Sequence, residues 1–368
     1  MSPLTIGLMT GTSADGVDAA LVEFEDHSPR LLDKYFHPYP ADLRKRIIAL
    51  AHSDHVGFDE LFLLDAQIAE QLAIAVERLL RQADCTPGRV SAIGSHGQTI
   101  RHRPQAGLRY TVQIGNPNIL VARTGIDVIT DFRRADMAFG GQGAPFASLF
   151  HEQVFREAGK HTVVLNLGGI ANITVLQDDR EVIGFDTGPA NALLDDWIKI
   201  NKGLDHDADG AWAASGTPDP KLLASMLADD YFKQAPPKST GREYFGGPWL
   251  DKHLKNNTSA AVDVQATLCE LTARTIADAI ERHCPACEQV YTCGGGAKNQ
   301  ELLRRLGQSL PGITLLKPES VGIDGDFLEA MVFAWLAERH LDGLPGNLPS
   351  VTGSRRAVIC GCHYPATH

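Results

Sequence analysis

The sequence lacks several features that would place it in large functional classes. It holds no run near the ~18 consecutive apolar residues of a membrane span. Its opening, MSPLTIGLMTG, has neither the basic start nor the long apolar segment of a secretory leader. Positive charge is scarce: 34 Lys and Arg face 45 Asp and Glu, a net charge of −11, which disfavours a nucleic-acid binder. The seven cysteines are odd in number and scattered, which argues against a disulfide framework. Cys284 and Cys287 form a C-x-x-C, and Cys360, Cys362 and His363 lie near the end. A zinc site is conceivable there, but half-buried free thiols in a reducing cytosol are the better reading, and no metal-ligating set is expected. We expect a cytoplasmic protein that binds neither nucleic acid nor membrane.

What is present points to a large α/β protein. With 368 residues, 43% of them hydrophobic, the chain can bury a sizeable core and favours two lobes over one. Residues 59–82 place Leu61, Leu64, Ile68, Leu72, Val76 and Leu79 at spacings of three and four, which predicts an amphipathic helix. Further helices are expected over 263–283 and 324–341, and short strands at Val90–Gly94 and 127–132. The stretch RRADMAFGGQGAP reads as a Gly-rich loop joining two lobes. One pattern appears twice, starting near residues 5 and 162: an apolar strand, a Gly/Thr/Asn turn, a second strand. The domain reading is a first lobe over 1–133 and a second over 134–368, with the C-terminal helix in the second lobe and the last residues packing back on the first.

The turns carry the chemistry. Gly11-Thr12-Ser13-Ala14-Asp15-Gly16, running on into Val17 and Asp18, exposes backbone N–H groups with little side-chain bulk. Such donors line a concavity that accepts phosphate oxygens. No Gly-Lys-Ser/Thr follows, so this is not a Walker loop, and the following strand excludes a dinucleotide fingerprint. Alone it could equally be a plain hairpin turn. Two more turns after apolar strands, Gly168-Gly169 and Gly294-Gly295-Gly296, shift the balance toward a nucleotide: two turns for phosphates, the third for base and ribose.

GLMTGTSADGVDAALV, SHGQTIRH, QIGNP, DFRRADMAFGGQGAP, NLGGIANIT, GFDTGPANALLDDW, STGREYF, CGGGAKN and PSVTG follow one another from about residue 5 to about 364. Together they resemble the 1,6-anhydro-N-acetylmuramic acid kinases of bacterial peptidoglycan recycling, within the sugar kinase/actin/Hsp70 superfamily. The resemblance implies two similar actin/hexokinase-like α/β lobes with a nucleotide cleft between them, ATP with Mg²⁺, a sugar substrate and a homodimer. One departure is notable. Met9 and Asn166 stand where many superfamily members carry an acidic magnesium partner; Asp15 and Asp18 are the substitutes in principle.

Asp186 lies at the end of an expected strand, with Pro189 at an early helical position. A helix N-terminus would favour its ionised form, as a base requires; the alternative is that it merely caps the helix. The resemblance puts the family's catalytic Asp on this position. It also implies a role for Glu329 in holding the sugar or the attacking water, whereas its largely apolar neighbours leave cleft and solvent equally open. Arg133 or its neighbour Arg134 is a candidate for the lactyl carboxylate. His96 and Gln98 are candidates for sugar hydroxyls. Since O6 of a 1,6-anhydro sugar bears no proton, the expected chemistry couples hydrolysis of the bridge to phosphorylation of O6. The rival readings are a kinase for another amino sugar and a nucleotide-driven switch with no small substrate.

Overall fold

The computed structural model describes residues 4–25, 28–53, 55–105, 107–178 and 180–366. Strands are numbered β1–β13 in chain order. The chain divides into two compact units, Met1–Val154 with Gly322–His368, and Phe155–Val321. The division therefore falls about twenty residues beyond 133, and the C-terminal helix belongs with the first unit.

In the first unit the sheet runs β13-β7-β4-β1-β2-β3. Its members are β1 (Leu4–Met9), β2 (Gly16–Glu25), β3 (Ser28–Pro38), β4 (Val90–Ser95), β7 (Val128–Thr130) and β13 (Cys362–Tyr364). β5 (Gln98–Arg103) and β6 (Tyr110–Ile114) form a separate hairpin. In the second unit the order is β10-β9-β8-β11-β12, from β8 (Thr162–Leu167), β9 (Ile170–Leu176), β10 (Ile183–Pro189), β11 (Gln289–Cys293) and β12 (Thr314–Leu316).

The faint repeat in the sequence is a repeat of topology. Each unit opens on an antiparallel hairpin, β1–β2 or β8–β9, extended by an antiparallel third strand. On the other side of the first strand, each adds two parallel strands, β4 and β7 or β11 and β12. The parallel additions need crossovers, which the helices supply. Helix Phe58–Gln82 turns Leu64, Ile68, Leu72, Val76 and Leu79 into the first core beneath Ile6 and Leu8. Helix Ala261–His283 turns Leu268, Ile276 and Ile280 into the second, against Val163 and Leu165.

Two register partners, Gly7 of β1 and Gly94 of β4, explain where helix Leu328–Leu341 sits. A Cβ on Gly7 would lie 1.8 Å from the Ala330 carbonyl oxygen, and one on Gly94 would lie 2.0 Å from that of Phe333. The bare strands thus let the helix backbone lie against the sheet. RRADMAF is not an open linker: Phe132–Ala138 is a helix of the first unit, and the strand before it shortens to Val128–Thr130. Its buried Asp136 explains why this segment stays with the first unit. That carboxylate accepts from Asn347 Nδ2 and Thr352 Oγ1 at 2.6 Å each, and from Gly143 N at 2.8 Å. Among the described residues, no helix is long and apolar enough to cross a membrane.

Candidate active site

The β1–β2 turn is held from outside. Ala14 N bonds Gly11 O at 3.1 Å to close it. Gln98 Nε2 donates to Gly11 O at 3.0 Å, and Thr10 Oγ1 donates to Gly97 O at 2.8 Å. Arg44 pairs with Asp15 at 2.5 Å. The glycines differ in purpose. A Cβ on Gly16 would meet His37 O at 2.2 Å, so the chain itself requires glycine there. A Cβ on Gly11 would meet nothing nearer than Ser13 Oγ at 3.6 Å, so this glycine leaves open space.

The β8–β9 turn is held from the start of the helix that follows β10, with Asn191 Nδ2 donating to Leu167 O at 3.0 Å. Asn191 N bonds Gly168 O at 3.1 Å, and Ala190 N and Ala192 N bond Gly169 O at 3.0 Å. Gly168 and Gly169 again leave room, their nearest Cβ contacts being 3.4 and 3.6 Å. In the third turn Gly294 has φ +79° and packs on Asn166, and Gly296 packs on Leu167 and Asn191. Gly295 between them is open. Gly11, Gly168, Gly169 and Gly295 are thus glycines that the fold does not demand.

Asp186 is not a helix cap. It lies within β10, where the pairing with β9 shifts register between Asp186 and Gly188. The helix that follows, Asn191–Lys202, has Ala190 at its N-cap and no side-chain cap. The carboxylate therefore makes no capping hydrogen bond to that helix end. Burial raises its pKa to about 7, opposed by Thr240 N–H and Lys238 and assisted by Glu243. Thr240 N donates to Oδ2 at 2.9 Å, while Asp186 N donates to Lys238 O at 3.2 Å and Tyr231 OH donates to Asp186 O at 2.8 Å. The side chain remains only half-buried, so water reaches it.

In the first unit, the sequence-predicted residues His96, Arg133 and Glu329 come together. Arg133 donates Nε and Nη2 to His96 Nε2 at 3.0 and 2.9 Å, and Nη1 to Gly143 O at 2.6 Å. Burial and the adjacent Arg133 hold His96 well below its usual pKa. It is therefore neutral, and its Nε2 is the acceptor. Burial lowers Arg133 to about 10, against the pull of Glu329 and Asp136. Glu329 reaches solvent but is crowded by protein on its other sides; that crowding raises its pKa and Arg133 lowers it. Gln98 is 1% exposed, and its Oε1 has no protein partner. Arg134 lies aside, half-exposed and paired with Asp131 at 3.3 Å.

Asp18 was already placed in the first turn by the sequence, but its crowded setting was not, and Lys238 and Arg242 were given no role there. Asp18, in β2, has its pKa raised to about 7 by burial and then by Glu329, Asp326 and Asp15. Lys238 and Arg242 lie in STGREYF and the residue before it, near Asp186 and Gly169 respectively. The only signal for the last two was the motif itself. The cysteines form no cluster: Cys284 and Cys287 share a thiol hydrogen bond, Cys360 is buried, and His363 pairs with Asp127 at 2.7 Å. Among the described residues, no group of three or more His, Cys, Asp and Glu could hold a metal.

A model of the anhydro-N-acetylmuramic acid kinase family matches residues 3–366. The chain belongs to that family. It is 49% identical over 369 residues to the anhydro-N-acetylmuramic acid kinase of Xanthomonas campestris pv. campestris (strain 8004), covering 99% of this chain and 98% of that one. It is 49% identical over 365 residues to the kinase of the same name from Shewanella amazonensis, covering 99% of each. Among solved structures, a ROK family glucokinase from Streptomyces griseus, crystallised with glucose and AMPPNP, aligns over 91% of this chain and 99% of its own. Its identity is 15% and its TM-score 0.41, a likeness that adds nothing to the architecture described above.

Proposed function

We propose that this family member opens the 1,6-anhydro bridge of anhydro-N-acetylmuramic acid with water and transfers the γ-phosphoryl group of ATP to the freed O6. The products are N-acetylmuramate 6-phosphate and ADP. The observation that carries the reading is the Asp186 carboxylate: half-buried, steadied by Thr240 N–H, with a pKa near 7. A base of that strength is substantially ionised at neutral pH and still binds a proton well.

The balance is as follows. Water gives its proton to Asp186 and its oxygen to C1. The C1–O6 bond breaks, and its electron pair stays on O6. O6 attacks the γ-phosphorus, the bond to the β-phosphate oxygen breaks, and ADP leaves with that pair. Asp186 then returns its proton to solvent. Glu329 helps to hold the sugar and the attacking water. Arg133, steadied by His96, meets the lactyl carboxylate. Gln98 Oε1 accepts from a sugar hydroxyl, which gives that buried oxygen a donor. Gly11–Asp18 and Gly168–Gly169 bind phosphates and Gly294–Gly296 binds the adenosine; the open glycines at 11, 168, 169 and 295 leave room for such approach.

Mg²⁺ fits the first turn. Asp18 is an oxygen donor crowded by like charges, and Mg²⁺ usually takes one or two carboxylates beside substrate phosphates rather than a full protein cage. When bound, the ion neutralises phosphate charge. ATP as donor puts the reaction in the cytoplasm, and we assign the working state to a homodimer, testable as a particle of twice the 39.8 kDa chain mass. The deciding experiment is mass spectrometry of the product made in ¹⁸O water and quenched before the anomeric hydroxyl exchanges. One solvent oxygen at C1 of the phosphorylated sugar is expected. A phosphorylated product with its bridge intact would overturn the coupled reaction, and turnover with another amino sugar alone would reassign the substrate.

A further inference from the structure

The segment from Tyr231 to Phe245 is fixed at both ends by rings. Tyr231 lies 5.3 Å from Phe245 and 5.9 Å from Tyr244, and Phe232 stacks on Phe245 at 5.6 Å. Just before it, Asp229 accepts from Tyr244 OH at 2.8 Å and Trp249 Nε1 at 2.9 Å. Such anchoring makes the intervening loop a rigid platform rather than a loose connection.

The loop tip reaches two places at once. Thr240 N holds Asp186 Oδ2 at 2.9 Å. Two residues later, Arg242 Nε lies 3.6 Å from where a Cβ on Gly169 would stand, at the β8–β9 turn. The Arg242 side chain is 57% exposed, and its pairing with Asp196 is long at 3.5 Å. The guanidinium is thus stationed at the turn without being consumed by its partner.

Phosphoryl transfer spreads negative charge over the oxygens of the moving group, and the protein's main task is to hold and neutralise it. Gly11–Asp18 and Gly168–Gly169 contain no Lys or Arg of their own, and the arginine that reaches the first turn, Arg44, is engaged there by Asp15 and Ser13 O. We propose that Arg242 is a catalytic residue that binds the γ-phosphoryl group as it passes from ADP to O6. This rests on the phosphoryl-transfer reading above. Arg242 keeps its protons throughout; its planar fork pairs two phosphoryl oxygens, which a lysine ammonium cannot match in geometry. A single loop then fixes the base by Thr240 and the phosphoryl group by Arg242.

The test uses the full-length protein with ATP and anhydro-N-acetylmuramic acid, comparing wild type with Arg242→Ala, Arg242→Lys and Asp196→Asn. Arg242→Ala should lower kcat by about 10²–10³-fold, with the sugar KM and thermal midpoint near wild type. Added guanidinium ion at low concentration should restore part of that kcat. Arg242→Lys should fall between, and Asp196→Asn should stay near wild type. Unchanged kcat in Arg242→Ala would overturn the assignment. So would an equal loss in Asp196→Asn, which would make the ion pair, not the phosphoryl contact, the reason for the arginine. If Arg242→Ala does not fold, Arg242→Lys decides: a loss of about tenfold at an unchanged midpoint supports the fork, and full activity overturns it. Failure of the wild-type protein to phosphorylate the sugar would instead sink the reading on which the proposal rests.

Discussion

Asp18 in the first unit and Asp186 in the second both have pKa values raised to about 7, for different reasons. Burial leads in each. Around Asp18 the next three contributions are carboxylates, Glu329, Asp326 and Asp15, and all push upward. Around Asp186 one carboxylate pushes upward while a backbone N–H and Lys238 pull down. Asp18 therefore stands in a place short of positive charge, whereas Asp186 has its own donors and needs none brought to it. On the function proposed above, the same pKa would suit a counter-ion site in one unit and a base in the other.

The strongest way to break this contrast is Asp186→Asn. The amide keeps the size and can still accept from Thr240 N–H, so folding and ATP affinity should hold. The base is lost, and kcat should fall by about 10²–10⁴-fold. In wild type, kcat should rise with pH through about 7 as the carboxyl ionises, a limb absent from the residual activity of the variant. The checks are pH-resolved kcat, thermal midpoint and nucleotide affinity measured together. Near-normal turnover would move the search for the base to Glu329.

Next in size is a contrast between two glycines of one turn. Gly16→Val forces a side chain into His37 O, a backbone atom that cannot give way, and should unfold or badly destabilise the first unit. Gly11→Val meets no such obstacle and should fold. Its side chain would occupy the space we assign to phosphate, so ATP affinity should drop while the midpoint stays. Calorimetry of ATP binding beside a melting curve separates the two. Normal ATP binding by folded Gly11→Val would reduce the turn to a turn.

How much of this was legible in the sequence divides along the range of the contacts. The hairpins at Leu4–Glu25 and Thr162–Leu176 announced themselves, because apolar strands flank a Gly-rich turn and pair locally. Helix Phe58–Gln82 showed in its spacing. The return of helix Leu328–Leu341 to the first sheet did not show. It depends on Gly7 and Gly94 lying bare beneath a segment more than 200 residues away, and a glycine in a strand does not name its partner. Asp136 misled for the same reason: it gave no sign of Asn347 and Thr352, so its helix passed for linker. Asp186 was singled out through the motif, but its setting was not foreseen, since β10 runs on to Pro189, past a register shift, where a helix start was expected. Arg242 sat within a quoted motif without a role because its neighbour Gly169 is far off in sequence.

The smallest expected effect sharpens the Asp18 side of the comparison. A carboxyl raised from its ordinary 3.8 to about 7 by folding favours the folded state only while it is protonated. Its contribution is complete below about pH 3.8 and is lost as pH rises through about 7, because the folded protein must then ionise a group in a crowded acidic setting. Asp18→Asn resembles the protonated acid at every pH. The variant should therefore match wild type below about pH 3.8 and melt higher at pH 8, by on the order of a few degrees. Other shifted groups, Asp186 and Glu338 among them, are common to both proteins and cancel in the difference. Mg²⁺ adds a second arm. At pH 8, in the presence of an ATP analogue, it should raise the wild-type midpoint by neutralising Asp18, and should do less for the variant. Equal Mg²⁺ shifts in both proteins would remove Asp18 from the ion's surroundings. A variant that melts lower than wild type at pH 8 would show that Asp18 is already compensated within the chain, and the contrast with Asp186 would then collapse.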